Sequence, residues 1–188
     1  MGQTLSHSLT FPYVVPFTNA RLYAFVACFV TADVAIPLFV HWIHPQAGPT
    51  VQPMYFLIIL AGLLLGWRAG LLVGVATPLV SFVISGMPEL SILPRIFIEG
   101  VCYGVIAGVM RERYNLNTVA SVAVAVIVGR MVAPAVLLFI YGFDGPVLLW
   151  DAVMLGWPGI ILQVTLLPLI LHLLEYILST RSKHNGIV

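Results

Sequence analysis

The chain has 188 residues, 61% of them hydrophobic, with eight Lys and Arg against seven Asp and Glu and a mean hydropathy of +1.06. Only 8% of the residues are charged, where a water-soluble domain carries about 25%, so the composition excludes a soluble domain and makes lipid the solvent. A formal net charge of +1 gives no basic stripe for nucleic acid, and no acidic tail or low-complexity tract occurs.

The amino-terminal stretch "MGQTLSHSLTFPYVVPFTNARLYAF" lacks a basic segment running directly into an apolar one, so no cleaved signal peptide is expected. Its M-G-x-x-x-S opening fits N-myristoylation, which a chain anchored many times over does not need. A membrane-crossing helix requires roughly 20 apolar residues and must satisfy its own backbone hydrogen bonds. Candidate spans follow at 22–43, 54–67, 69–86, 95–110, 118–141 and 148–178, the last opening with an interfacial or re-entrant turn near "WDAVMLGWPG". They predict an all-α, polytopic membrane protein, a bundle of six transmembrane helices in a single domain, with the second and fourth spans short for a crossing. The breaks have chemical causes. "HPQAGPTVQP" is dense in Pro and Gly, "GWRAG" is a tight turn, and "GMPELSILP", "RERYNLN" and "YGFDGP" separate the later spans, all compositions that stop helices. Pro78, Pro134 and Pro168 fall inside spans, where they kink a helix if neighbours satisfy the released carbonyls.

Cytoplasmic loops are enriched in Lys and Arg. Six of the eight cations, Arg21, Arg68, Arg111, Arg113, Arg181 and Lys183, fall on one side of a six-span chain, which predicts both termini in the cytoplasm. The opposite loops carry His44, Gln46, Gln52, Glu89, Asp144 and Asp151. Arg95 and Arg130 break the pattern.

A charge at mid-membrane costs about 2.5–3.5 kcal/mol on insertion scales, so it faces a partner or a wet cavity. By the 1.5 Å rise of a helix, Glu99 lies about 7 Å and Arg130 about 15 Å below the outer edge, with Gln163 in the sixth span at comparable depth. Three polar groups from three spans are therefore expected to converge. One reading is an Arg130–Glu99 ion pair that fixes packing; the other is a polar pocket open to the outside. Trp42, Trp150 and Trp157 serve either as interfacial anchors or as stacking surfaces for a flat ligand. Asp33, mid-way along the first span, is a second intramembrane charge, either functional or paired with a cation. His41 and His44 are spaced H-x-x-H without a third ligand, so no metal site is expected. Cys28 and Cys102 read as buried thiols. In the first span, Ala24, Cys28 and Ala32 form one four-residue-spaced small set and Ala27, Thr31 and Ala35 another, faces that let helix backbones approach closely in lipid. No nucleophile motif, phosphate loop or paired-carboxylate pattern is present, so the chain is not expected to be an enzyme or to hold a cofactor, and uphill transport would need another source of energy.

The stretches "VQPMYFLIILAGLLLGWRAGLLVGVATPLVSFVISGMP", "LPRIFIEGVCYGVIAGVM" and "GWPGIILQVTLLPLILHLLE" resemble the substrate-binding S components of energy-coupling factor (ECF) vitamin transporters. The resemblance implies a six-helix protein of a prokaryotic plasma membrane with both termini cytoplasmic. It implies capture of a vitamin or related micronutrient near the outer face, using outer loops and the outer halves of the later helices. It also implies docking on a shared transmembrane T subunit and two ATPases, with ATP used by those partners alone. The substrate site would then draw on Arg95, Glu99, Arg130, Gln163, Trp150, Trp157 and Asp151, with Glu89 in a lid. The family's A-x-x-x-A docking pattern falls on Ala24 and Ala32 or on Ala27 and Ala35, with Cys28 and Thr31 in the middle positions as departures. The G-rich signature of biotin carriers and the Met-His start of nickel and cobalt members are missing, so no substrate is carried over. A membrane scaffold of the MreD cell-shape type, also small, apolar and multi-spanning, is the alternative; it has no need of an outward polar pocket.

Overall fold

The computed structural model describes residues 13–43, 51–142 and 145–184. His44, Gln46, Thr50 and Asp144 lie outside the described residues, as do the side chains of His41, Trp150, Asp151, Arg181 and Lys183. The described residues form α1 (Ala20–Ile43), α2 (Pro53–Leu65), α3 (Trp67–Ser85), α4 (Leu93–Glu112), α5 (Thr118–Tyr141) and α6 (Gly145–His184). Local chemistry fixes several ends. The Asn117 side chain accepts from the Ala120 N–H at 2.8 Å and caps α5, satisfying a donor with no intrahelical partner. α3 and α5 stop at Gly86 (φ 70°) and Gly142 (φ 65°), left-handed positions that suit glycine.

Among the described residues, five helices are long and apolar enough to cross a membrane. The fourth expected span gains a turn's worth of residues in α4 and is no longer short. α2, with 13 residues, remains too short, and its position explains how that is tolerated. It packs against every other helix, and Ile58, Ile59, Ala61 and Leu63 are fully enclosed, as expected of a helix that is apolar all round. The last helix exceeds its expected span, because a helix can continue into water where hydropathy no longer marks it: the apolar segment runs Gly156–Ile177, whereas the helix reaches His184. The outer surface carries bare apolar side chains such as Phe139, 92% exposed, and Val83, 81% exposed. A soluble protein seldom shows so much apolar surface; a lipid-facing one must.

Glycine decides how α2, α3 and α4 meet. Gly100, Gly104 and Gly108 repeat every fourth residue along α4 and face Gly62, Gly70, Gly74 and the Trp67 backbone. A Cβ on Gly104 would overlap the Gly70 carbonyl oxygen and lie 2.6 Å from the Gly70 carbonyl carbon. Main chain thus lies against main chain, the close approach that small residues allow in lipid.

The two ends of the bundle differ. At one end, Arg68 pairs with Glu112 at 3.3 Å and Arg111 with Glu175 at 3.0 Å, while Arg111 also donates to the Thr118 hydroxyl at 3.0 Å. The segment before α1 folds onto the same end: Tyr13 N–H donates to the Leu64 carbonyl at 2.7 Å, and Val15 is buried with Leu22, Leu65 and Ala69. The start of α2 and the start of α4 lie at the opposite end, with Gln52 and Arg95.

Candidate functional site

Six polar or aromatic side chains from α2 and its approach, α4 and α5 form a connected set toward that second end. Gln52 takes a left-handed conformation (φ 52°, ψ 51°) just before Pro53 opens α2, and its side-chain carbonyl accepts from Arg130 Nη2 on α5. Over this pair runs the backbone of α6. A Cβ on Gly156 would lie 2.5 Å from Gln52 Nε2 and 2.6 Å from Arg130 Nη2, so any side chain there would intrude on the pair. One residue before Arg130, Gly129 receives the ring of Tyr103, whose Cδ1 would sit 2.5 Å from an added Cβ. Tyr103 meets Tyr55 edge to face, centroids 4.8 Å apart at 82°, a favoured arrangement for aromatic rings. Tyr55 then donates its hydroxyl to Glu99 Oε2 at 2.5 Å, and Arg95 Nε donates to Glu99 Oε1 at 3.1 Å.

Of the two readings of these residues, the Arg130–Glu99 ion pair is not the one Glu99 makes. The salt bridge of Glu99 is to Arg95, one turn earlier on the same helix, the i,i+4 spacing at which helical side chains meet. Arg130 contacts Gln52 instead. Depth had placed Arg130 and Glu99 together; helix rotation and the local partner decide otherwise. Both groups are enclosed, Glu99 fully and Arg130 at 4% exposure.

Gln163 is fully buried too, and both polar atoms of its amide lack a hydrogen-bond partner among the described residues, as does the Tyr103 hydroxyl. Gln163 follows Gly156 by two helical turns on the same face of α6, about 10 Å deeper by helical rise. A buried amide without partners costs free energy, so the wall beneath Gly156 offers donors and an acceptor to whatever enters. Trp157 is 55% exposed and stands on the outer surface of the bundle, away from this set. Trp42 is likewise exposed, and Glu89 lies exposed in the segment before α4. The expectations for Trp150 and Asp151 fall on side chains outside the described set. Gln52, Tyr55, Tyr103, Gly129 and Gly156 were not singled out as site residues from the sequence. One signal was available: Tyr103 follows Glu99 by four residues, on the same helix face.

These features sit in a chain whose middle matches a known family. A family model described as ECF transporter, substrate-specific component, covers residues 22–171. The chain belongs to that family. No curated protein and no solved structure gives a significant match. As a member of the substrate-specific components, the chain is a multi-pass membrane transporter subunit, and the scaffold alternative loses its ground. The arrangement of Arg95, Glu99, Tyr55, Tyr103, Arg130 and Gln52 is suited to holding a small molecule by hydrogen bonds between helices.

Proposed function

We propose that this protein captures a vitamin or related micronutrient at the outer face of a prokaryotic plasma membrane and delivers it inward with a separate ATP-driven module. The observation that carries the reading is the Gln52–Arg130–Tyr103–Tyr55–Glu99 set, closed by Gly156, inside a largely apolar bundle. Polar groups at that depth are costly and mark substrate paths. The end rich in Arg68 and Arg111 is taken as cytoplasmic on the positive-inside rule, which turns the polar set outward and both termini inward. Native mass spectrometry of the detergent-purified protein tests the reading. A retained small organic molecule, released on denaturation, is the expected result; protein that retains none and shows no thermal shift with any water-soluble vitamin would sink it.

Energy coupling requires a docking surface for the transmembrane T subunit and its two ATPases. On α1, Ala27, Thr31 and Ala35 are all exposed, whereas the second set turns inward at Ala32, which is half-buried. The Ala27–Ala35 face is therefore the preferred dock. Replacing both alanines by Leu (Ala27→Leu with Ala35→Leu) is expected to abolish co-purification with the module while leaving ligand retention intact, since bulky groups hold helix backbones apart. The paired Ala24→Leu and Ala32→Leu change should act more weakly on assembly. Equal assembly by all variants would remove α1 as the dock.

A further inference from the structure

We propose that Asp33 on α1 and Thr77 on α3 hold an alkali-metal cation of sodium size inside the membrane. Asp33 lies thirteen residues along a 24-residue helix, near its middle, and is fully buried. Neither carboxylate oxygen has a hydrogen-bond partner among the described residues, and no Lys, Arg or His there pairs with it. The second reading of Asp33, a cation partner in the bundle, is thus not met among the described residues; Thr77, on the α3 helix that packs against α1, is the side chain that bears on its carboxyl.

Thr77 behaves unlike four other helical hydroxyls. Ser85, Ser121, Thr165 and Thr180 each donate to the backbone carbonyl four residues earlier, the usual resort of a hydroxyl in an apolar helix. The Thr77 hydroxyl, fully buried, makes no such bond. Pro37, four residues after Asp33 within α1, has no N–H to give the Asp33 carbonyl, so the same turn carries a further oxygen without its helical donor. Oxygens gather here, and no Lys, Arg or His among the described residues meets them.

That chemistry selects the occupant. Oxygen ligands without His or Cys suit a hard cation. A single carboxylate balances a single positive charge, and divalent ions that rely on protein ligands alone call for more oxygens and more carboxylate than this pair supplies. Membrane transporters place alkali cations at similar combinations of a side-chain oxygen and helical carbonyls released from their ladder. α1 packs chiefly on α2 and α3, so the site is separate from the Gln52–Arg130 set and does not depend on the identity of the transported molecule.

The test is thermal unfolding of the purified full-length protein in detergent, in sodium chloride against choline chloride at equal ionic strength and fixed pH. Sodium should raise the midpoint in a saturable way, by about 5–10 °C at a hundredfold excess over its Kd, with potassium less effective. Sodium-23 resonance broadening on adding protein should report the same site. Asp33→Asn and Thr77→Val should each remove both responses. If Asp33→Asn fails to fold, Thr77→Val and the wild-type sodium-23 signal still decide. Identical melting in sodium and choline, a stability that follows pH alone, or a sodium response that survives in Asp33→Asn would each overturn the proposal, the second by making a proton the occupant.

Discussion

Gly104→Ala should be among the most damaging single-methyl changes available in this chain. Its Cβ would overlap the Gly70 carbonyl oxygen, and the neighbouring atoms of Gly70 would lie 2.6 Å (carbonyl carbon) and 2.9 Å (Cα) away. All three are backbone, so no side-chain rotation relieves the clash; α3 and α4 must move apart. Overpacking costs typically about 1–3 kcal/mol and occasionally more, and this site belongs at or beyond the upper end because the seam continues at Gly62, Gly74, Gly100 and Gly108. Separating the helices at one point forfeits contact along the row. Gly86→Ala supplies the contrast. Gly86 has a positive φ of 70° but nothing within 4 Å of an added Cβ, so only the conformational cost applies, about 1–2 kcal/mol. Thermal unfolding in detergent should rank Gly104→Ala well below Gly86→Ala, and equal midpoints would show that α3 and α4 do not pack through their backbones.

The helices were legible because apolar runs and their breakers are local. "GWRAG" turns at Gly66 with φ 87°, and Asn117 caps where a polar break meets an apolar run. Two further features were equally local and were missed. The glycines at 100, 104 and 108 are a plain four-residue repeat, and Arg95 stands four before Glu99, so the salt bridge on α4 could have been read directly. What the sequence hid is rotational. Whether Arg130 faces α4 or the approach to α2 depends on how α5 turns in the bundle, and that is set by small contacts such as Tyr103 on Gly129 and α6 crossing at Gly156. Gln52 looked like a loop residue on composition. It enters the site because the chain turns left-handed there before Pro53, a conformation that no hydrophobic pattern records.

Arg130→Met is expected to separate ligand binding from folding. If the Gln52–Arg130 pair contacts the transported molecule, truncating the guanidinium removes a buried charged partner and should weaken binding by about 2–5 kcal/mol, roughly 30- to 4,000-fold in Kd. The fold should survive. Glu99 keeps Arg95 at 3.1 Å and the Tyr55 hydroxyl at 2.5 Å, so losing Arg130 does not strand a carboxylate, and Met matches the apolar neighbours while removing an expensive charge. A packing role tied to Glu99 makes the opposite forecast: Arg130→Met would destabilise, and adding Glu99→Gln would restore both stability and binding. With Glu99 held by its own helix and by Tyr55, that second substitution should instead add damage, because Gln cannot reproduce the ion pair with Arg95. Titration of the molecule retained in native mass spectrometry, alongside thermal unfolding of the single and double variants, distinguishes the two. Wild-type affinity in Arg130→Met would move the site away from Gln52 and Arg130, toward the deeper wall at Gln163, where a buried amide still lacks its partners among the described residues.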